Sequence, residues 1–413
     1  MILTHRIALD PNDRQETLLR QHAGYARFVW NWGVAETRRA LDAKEDQATS
    51  PYRLRPAFNA VKRHAAPWSG VLSQNAAKYA LIDLGDAWKR FWRERERARK
   101  EGRKPRRQYR RPRFKSRKRA RASFRADNGP GTVQTKGKRV FLPKIGFVRS
   151  REACRFAGAV KECTVVHDGV RWHAAVTFEA PEPEPKESGA VVGVDVGLRR
   201  LATVHDGDTT EVIENPRPLK AALANLRRVQ RRLARSRTVH GKHDHSKRRE
   251  RLHGERRRLE RRVVNLRLDA AHKATTAIAK RSRLVCVESL NVSGWMRNRR
   301  LSRSTADASP SRFLLLLGWK CKRDGARFVE VNRFYPSSKT CSACGEVNAE
   351  LGMEARWRCP ACGVEHDRDD NASVNLRRQG LAADVEGVSD GRLVAVPGEA
   401  STRQIIPHLA RSS

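Results

Sequence analysis

Acidic residues are scarce in this chain: 45 Asp and Glu stand against 86 Lys and Arg among 413 residues, a formal net charge of +41. Such an excess repels itself in isolation, so a polyanion is the natural partner. Long apolar runs are missing too. The longest, Phe313 to Gly318, falls far short of the roughly 20 residues that cross a bilayer. No basic amphipathic helix with a Trp/Phe/Leu face is visible either, which excludes binding in the plane of a membrane. Charged and polar residues follow Met1 within a few positions, so no signal peptide is legible. Cysteine is sparse: of eight, four form paired CxxC and four are scattered. That excludes a secreted disulfide scaffold and suits a reducing cytosol, hence a cytoplasmic location.

What is present falls into textures. Residues 3 to 9 (LTHRIAL) read as a short strand, and Asp10-Pro11-Asn12 opens a helix with Leu18, Leu19, Tyr25, Val29 and Trp30 on its apolar side. Helical periodicity returns from Ser73 to Arg95, with Tyr79, Leu81, Leu84, Trp88 and Phe91 inward. From Arg90 to Arg125 Arg and Lys dominate, interrupted by Tyr109, Phe114 and Phe124. A solvated arm has that composition. The interleaved aromatics, with Pro105 and Pro112, favour instead an extended segment laid along a phosphate backbone through Arg106, Arg107, Arg110, Arg111, Arg113 and Lys115.

VFLPKIGFV and CTVVHDGVRWHAAVTF then alternate apolar and polar residues, with Asp168-Gly169 as a two-residue hairpin turn. They predict a small antiparallel β domain, closed by the linker PEPEPKE at 181–187. A β/α region starts at Gly189. Between Pro218 and Arg283 lie two long basic helices, one striped by Leu219, Leu223, Leu226, Val229 and Leu233, the other by Leu252, Leu259, Val263, Leu266 and Ala270. A coiled-coil partner site is one reading; the charge on the other faces favours a helical hairpin against nucleic acid. His240, His243 and His245 (HGKHDH) read as a solvated turn rather than a metal site, and the chain after Gln379 as a flexible tail.

Two strands carry solitary acids. GAVVGVDVGLRRLATV (189–204) holds Asp195, and RLVCVESLNVSGW (283–295) ends its apolar run at Glu288. Asp195 could merely cap its strand or pair with Arg199. Two acids at the ends of two hydrophobic strands suggest instead a shared hard cation that offsets their repulsion. A third acid is then wanted, and CGVEHDRDDNASVNL (362–376) offers Asp367, Asp369 and Asp370. These could also be a helix start, since Asp and Asn are favoured N-caps. Strand Asp, later strand Glu and C-terminal helix Asp is the layout of the RNase H-like fold, where paired Mg²⁺ ions serve phosphodiester hydrolysis.

Just upstream, Cys341-Ser-Ala-Cys344 and Cys359-Pro-Ala-Cys362 are separated by fourteen residues. Each CxxC turn brings two thiolates to one tetrahedral ion, so the spacing predicts one Zn²⁺. Four thiolates leave no position for water, which makes that zinc structural. Cys154, Cys163, Cys286 and Cys321 sit in apolar surroundings and read as core.

GVDVGLRRLAT, VCVESLNVSG, VEVNRFYPSSKTCSACG and the ending C-G-x-x-x-D-R-D-x-N-A together resemble the transposon-encoded TnpB (OrfB) proteins and the related compact type V CRISPR effectors. The resemblance spans roughly residues 1 to 378. It implies a mixed α/β and β multidomain protein: an RNase H-like (RuvC) nuclease with an inserted zinc ribbon, and an antiparallel β-barrel (wedge-like) domain with an inserted helical recognition domain. The implied boundaries are 1–10 and 116–186 for the β domain, 11–115 for the helical domain, 187–336 and 367–378 for the nuclease, 337–366 for the ribbon and 379–413 for the tail. The family's Asp-x-Asn pattern selects Asp369 beside Asp195 and Glu288, with Asp370 at the variable position and Asp367 orienting Arg368. Two Mg²⁺ ions, or Mn²⁺ in substitution, would serve the triad. The implied partners are a guide RNA and double-stranded target DNA with a short flanking motif, met by Gln74 and Lys78 on one helix face. A guide-dependent binder without efficient cleavage and a sequence-indifferent basic protein are the alternatives. A strand-transferring transposase lacks its Tyr nucleophile in a His-x-His context.

Overall fold

The computed structural model describes residues 1–127, 133–240 and 246–385, in two compact units, Met1–Pro181 and Glu182–Ser413. In the first, β1 (Ile2–Asp10) is followed by α1 (Asp13–Asp42), α2 (Pro51–Ala65) and α3 (Gln74–Lys100). Asn12 starts α1 through a reciprocal cap: its Oδ1 accepts from the Gln15 amide at 2.9 Å, and the Gln15 side chain accepts from the Asn12 amide at 3.2 Å. Leu19, Val29 and Trp30 of α1 and Leu81, Leu84, Trp88 and Phe91 of α3 enter one core, as the periodicity requires. An irregular stretch over 101–122 then leads to β2 (Ser123–Asp127), β3 (Gln134–Lys136), β4 (Arg139–Leu142), β5 (Gly146–Ser150), β6 (Ala159–His167) and β7 (Trp172–Glu179).

These seven strands form one sheet in the order β2-β6-β7-β1-β5-β4-β3, every neighbour antiparallel. β2 and β3 are its edges and do not pair among the described residues, so the hydrogen-bonded order is open there. Helices α1 and α3 pack against the edge strand β2, which shields an otherwise unpaired edge. The β6–β7 turn is centred on Gly169-Val170, one residue later than the Asp168-Gly169 expectation. Asp168 stays outside it, donating its amide to Arg171 O (3.1 Å) and accepting from the Val170 and Arg171 amides (2.9 Å each) on its carboxylate.

The second unit runs β8 (Ala190–Asp195), β9 (Arg200–His205), β10 (Thr210–Glu214), α4 (Pro218–His240), α5 (Lys247–Arg281), β11 (Ser282–Glu288), α6 (Val292–Arg297), α7 (Ser302–Ala308), α8 (Pro310–Asp324), β12 (Arg327–Val331), β13 (Arg356–Arg358), β14 (Glu365–Asp367) and α9 (Arg368–Val385). Its main sheet has the order β10-β9-β8-β11-β12, antiparallel across the first three and parallel from β8 to β12. Strand alternation sorts the side chains into two faces. Val192, Val194, Val285 and Val287 meet Ala274 and Ile278 of α5 and Phe313 and Leu317 of α8. Val191, Leu284 and Cys286 face the other way and meet Leu381 of α9.

Helix α4 packs on α5 through Val229, Leu233, Leu252 and Leu259. The predicted stripe is only partly used: Leu266 is 45% exposed. At the C-terminus α9 continues through Val385, past the tail boundary expected at 379. Leu381 packs on the sheet, Gly380 lies against Cys286, and Asp384 pairs with Arg327 and, at 3.9 Å, with Arg283. Those contacts hold the last turns down. The remainder of the expected tail, 386–413, and His243 and His245 lie outside the described residues; His240 is the last residue of α4.

Candidate active site and metal centre

Asp195 and Glu288 are the last residues of β8 and β11, which are adjacent and parallel, with Val194 opposite Val287. Counting in twos from Val191 and from Leu284 puts both acids on the face that α9 covers. The carboxyl ends of parallel strands beside a reversal of strand direction are where open α/β sheets place their sites. Here β9, antiparallel to β8, supplies the reversal. Thr203 of β9, the cross-strand partner of Asp195, is 1% exposed, and its hydroxyl has no hydrogen-bond partner among the described residues.

Helix α9 reaches this edge because β8 has a glycine beneath it. A Cβ on Gly193 would lie 2.0 Å from Ser373 O and 2.5 Å from the Arg377 amide, and Arg377 Nε donates to Val191 O at 2.8 Å. The first turn of α9 divides its three acids. Asp367 is the cap, its Oδ1 accepting from the amides of Asp369 (3.0 Å) and Asp370 (3.3 Å). Asp370 accepts from Arg200 at 2.9 Å, and the same guanidinium reaches Asp367 at 3.0 Å. Asp369 is left with longer approaches, 3.4 Å to Arg199 and 3.9 Å to Arg200. So the spare acid has a structural partner, and Asp369 is the carboxylate of that turn not committed to capping. Arg199 turns to Asp367 and Asp369 rather than to Asp195. Arg368, the first residue of α9, which Asp367 was expected to orient, donates to Gly352 O at 2.6 Å.

Burial, then the charges of Asp369 and Glu288, pushes the Asp195 carboxyl up to about 7. Burial raises Glu288 as well. Acids raised chiefly by burial, with like charges adding to it at Asp195, suit a cation site, and the donor set is all hard oxygen. Among the described residues, however, the His, Cys, Asp and Glu atoms that gather within 4.8 Å of one another in a group of three or more are those of the four cysteines.

Those four are Cys341, Cys344, Cys359 and Cys362. The sulfurs of Cys341 and Cys362 are 3.6 Å apart and those of Cys344 and Cys359 are 3.7 Å apart. A disulfide would need about 2.05 Å; sulfurs about 2.3 Å from one tetrahedral Zn²⁺ stand roughly 3.8 Å apart. The two halves repeat one geometry. Cys341 N donates to Glu346 O (2.7 Å) and Gly345 N to Cys341 O (2.9 Å); Cys359 N donates to Val364 O (2.9 Å) and Gly363 N to Cys359 O (3.0 Å). Gly345 and Gly363 take φ of 84° and 74°, a region that favours glycine, which is why each CxxC is followed by one. The cluster fits a structural zinc.

Two features here were missed in the sequence. His366 Nε2 lies 3.1 Å from Cys341 Sγ, next to the ligand set. Asn371 and Asn375, one turn apart on α9, both donate to Ser337 O (3.3 and 2.8 Å) and Thr340 O (2.7 Å each), and Asn371 accepts from the Ser342 amide at 2.9 Å. The i, i+4 spacing of the two Asn in DNASVN was the available signal.

In the first unit, Arg106, Arg107, Arg110, Arg111 and Arg113 are exposed, on a segment pinned to its helices rather than loose. Glu94 accepts from Arg103 (2.6 Å) and from the Arg106 amide (2.9 Å), and Trp30 Nε1 donates to Arg113 O (3.0 Å). With Phe91, Arg95 and Tyr109 these arginines line a pocket of about 340 Å³. Lys115 departs from them: Asn31 exchanges two hydrogen bonds with its backbone, and its ammonium lies 3.4 Å from the Trp30 ring centre. Burial pulls it down to about 8. Gln74 is exposed at the start of α3, whereas Lys78 pairs with Asp127, so the two do not present one free face.

No helix among the described residues is long and apolar enough to cross a membrane. Residues 173–299 match a family model described as "Probable transposase" (OrfB_IS605), residues 311–376 a "Cas12f1-like, TNB domain", and residues 1–46 a "Helix-turn-helix domain" (HTH_OrfB_IS605). Over 1–46 the chain here folds as β1 and one unbroken helix. A "Putative RNA-guided DNA endonuclease" of Mycobacterium tuberculosis is 33% identical over 401 residues, covering 90% of this chain and 85% of the relative. InsQ of Escherichia coli K12, which carries the same description, is 29% identical over 409 residues, covering 94% and 95%. The protein of a Cas12f1–sgRNA–target DNA complex shares the fold at a TM-score of 0.55 and 11% identity, over 91% of this chain and 98% of that one. The chain thus has the fold of that compact Cas12f1 protein, with a four-cysteine cluster of its own. It belongs to the TnpB (OrfB) family.

Proposed function

We propose that the protein is an RNA-guided DNA endonuclease. It binds a guide RNA, reads a short motif flanking the target in double-stranded DNA, and hydrolyses the DNA at Asp195, Glu288 and Asp369. The observation that carries this is that Asp195 and Glu288 end two adjacent parallel strands and that the charges of Asp369, from the covering helix, and of Glu288 act on Asp195. A strand order of third, second, first, fourth, fifth, with acids ending the first and fourth, supports an RNase H-like (RuvC) reading of 187–336 and 367–378, with the ribbon at 337–366. The excursion of the chain into three helices between β1 and β2 supports a recognition domain, 11–115, inserted into a wedge-like β domain, 1–10 and 116–186.

The carboxylates would hold two Mg²⁺ ions, with Mn²⁺ as a substitute; when bound, these supply an activated water and charge for the leaving oxygen. The protein's part is placement. Rigid strands fix Asp195 and Glu288, Arg200 gathers the acids that start α9, and the Asp195 carboxyl would be ionised when it holds a cation. The cysteines would hold one Zn²⁺ and, through Asn371 and Asn375, brace Asp369. Exposed arginines 106, 107, 110, 111 and 113 supply phosphate contacts. The test is incubation of the purified ribonucleoprotein with target plasmid and Mg²⁺. Nicked or linear product is expected; DNA that is retarded but uncut, or bound without regard to the guide, overturns the reading.

A further inference from the structure

Phe334 is 81% exposed, yet its backbone is not loose. Asn332 Oδ1 accepts from the Phe334 amide (3.0 Å), Asn332 O from the Tyr335 amide (3.0 Å), and Tyr335 O from the Ser337 amide (2.8 Å). Ser337 O in turn receives both Asn371 and Asn375 of α9. The ring is therefore held out into water by a turn tied to the helix that carries Asp369. Its place on the sheet is equally defined. Val331 ends β12 as the partner of Glu288, and Ser289 N donates to Val331 O at 3.0 Å. Phe334 follows three residues beyond, at the edge where Asp195 and Glu288 end. The Arg333 guanidinium lies 5.3 Å from the ring centre, which leaves a π surface flanked by positive charge.

Resting on the nuclease reading, we propose that Phe334 is a positioning residue. Its ring stacks on a nucleobase of the DNA strand being cut and so fixes the scissile phosphate at the three carboxylates. A single base is the occupant that suits the chemistry: the Arg333 guanidinium lies beside the exposed ring, and every base offers a π face. Stacking also tolerates any sequence, as a guide-programmed target demands, whereas a hydrogen-bonding reader at this place would restrict it.

The test uses the full ribonucleoprotein with its co-purifying guide, as wild type, Phe334→Ala, Phe334→Leu and Phe334→Trp. Target DNA carries 2-aminopurine, scanned along each strand, whose fluorescence falls on stacking. In Ca²⁺, wild type and Phe334→Trp should quench the probe at one position that the Ala and Leu variants leave bright. In Mg²⁺, single-turnover cleavage should slow at least about tenfold in the Ala and Leu variants and recover in Trp, with guided DNA binding held within about twofold. Equal quenching or equal rates in Phe334→Ala overturn the proposal. So does full activity in Phe334→Leu, which would make the ring a mere apolar cover. A wild-type complex that quenches but never cuts sinks the nuclease reading and leaves the stacking contact standing.

Discussion

Gly193 of β8 and Ser373 of α9 meet so closely that a Cβ on the glycine would fall 2.0 Å from the serine carbonyl oxygen. Backbone lies on both sides, so no side chain can swing aside. Gly193→Ala should therefore lift the start of α9 and carry Asp369 away from Asp195 and Glu288. Overpacking of this kind costs roughly 1–3 kcal/mol. We expect a lower melting temperature and a loss of cleavage larger than the stability change explains, read by calorimetry and by plasmid nicking at a temperature where the variant is folded.

Removing any one carboxylate tests the site itself. Asp195→Ala, Glu288→Ala and Asp369→Ala should each abolish cleavage while guided DNA binding stays near wild type, since affinity comes from phosphate contacts and base pairing. Asp370→Ala should keep activity, because that acid is engaged by Arg200. An inactive Asp370→Ala beside an active Asp369→Ala would reverse the assignment.

Asp195 also gives a pH signature. Its carboxyl titrates near 7 in the fold, raised by burial and by Asp369 and Glu288, against an ordinary value of 3.8. Between those values the native state holds a proton that the unfolded state has released, so stability contributed below about 4 is lost as pH rises toward 7. In chelator, the melting temperature of Asp195→Asn should match wild type near pH 4, then exceed it increasingly up to pH 7 and stay above it. Adding Mg²⁺ should raise wild type alone. Parallel melting curves for the two proteins across that range would remove this account.

Zinc should be present at about one ion per chain by elemental analysis of a reduced, chelator-free preparation. Cys341→Ser or Cys362→Ser should release it and lower activity through misfolding of the ribbon, with protease sensitivity over 337–366 as the readout. A zinc-free wild type with full activity would refute the assignment.

What could be read in the sequence was whatever periodicity or spacing carries. Apolar runs placed Asp195 and Glu288 on strands, and the spacing of the paired CxxC units placed the ribbon. What could not be read depended on contacts between distant segments. Nothing local says that Lys78 meets Asp127, or that Asn31 folds Lys115 over Trp30. Nor does periodicity show that Arg200 pairs with Asp370 at 2.9 Å, which leaves Asp369 with longer approaches of 3.4 and 3.9 Å. The end of α9 was missed because its late turns, GLAADV, are weakly patterned, and a few contacts, from Gly380, Leu381 and Asp384, hold them.

The pairing of β1 with β7 joins Ile2 to Glu179, and this sets a timetable for biosynthesis. The N-terminal strand leaves the ribosome first, yet its principal neighbour is among the last parts of its unit to emerge. Helices α1 to α3 can form and pack while β1 waits unpaired, since local contacts close sooner than distant ones. The cationic segment after α3 emerges in that same interval, before the sheet is complete. Nucleic acid present during translation therefore meets the arginines first and the finished sheet only afterwards.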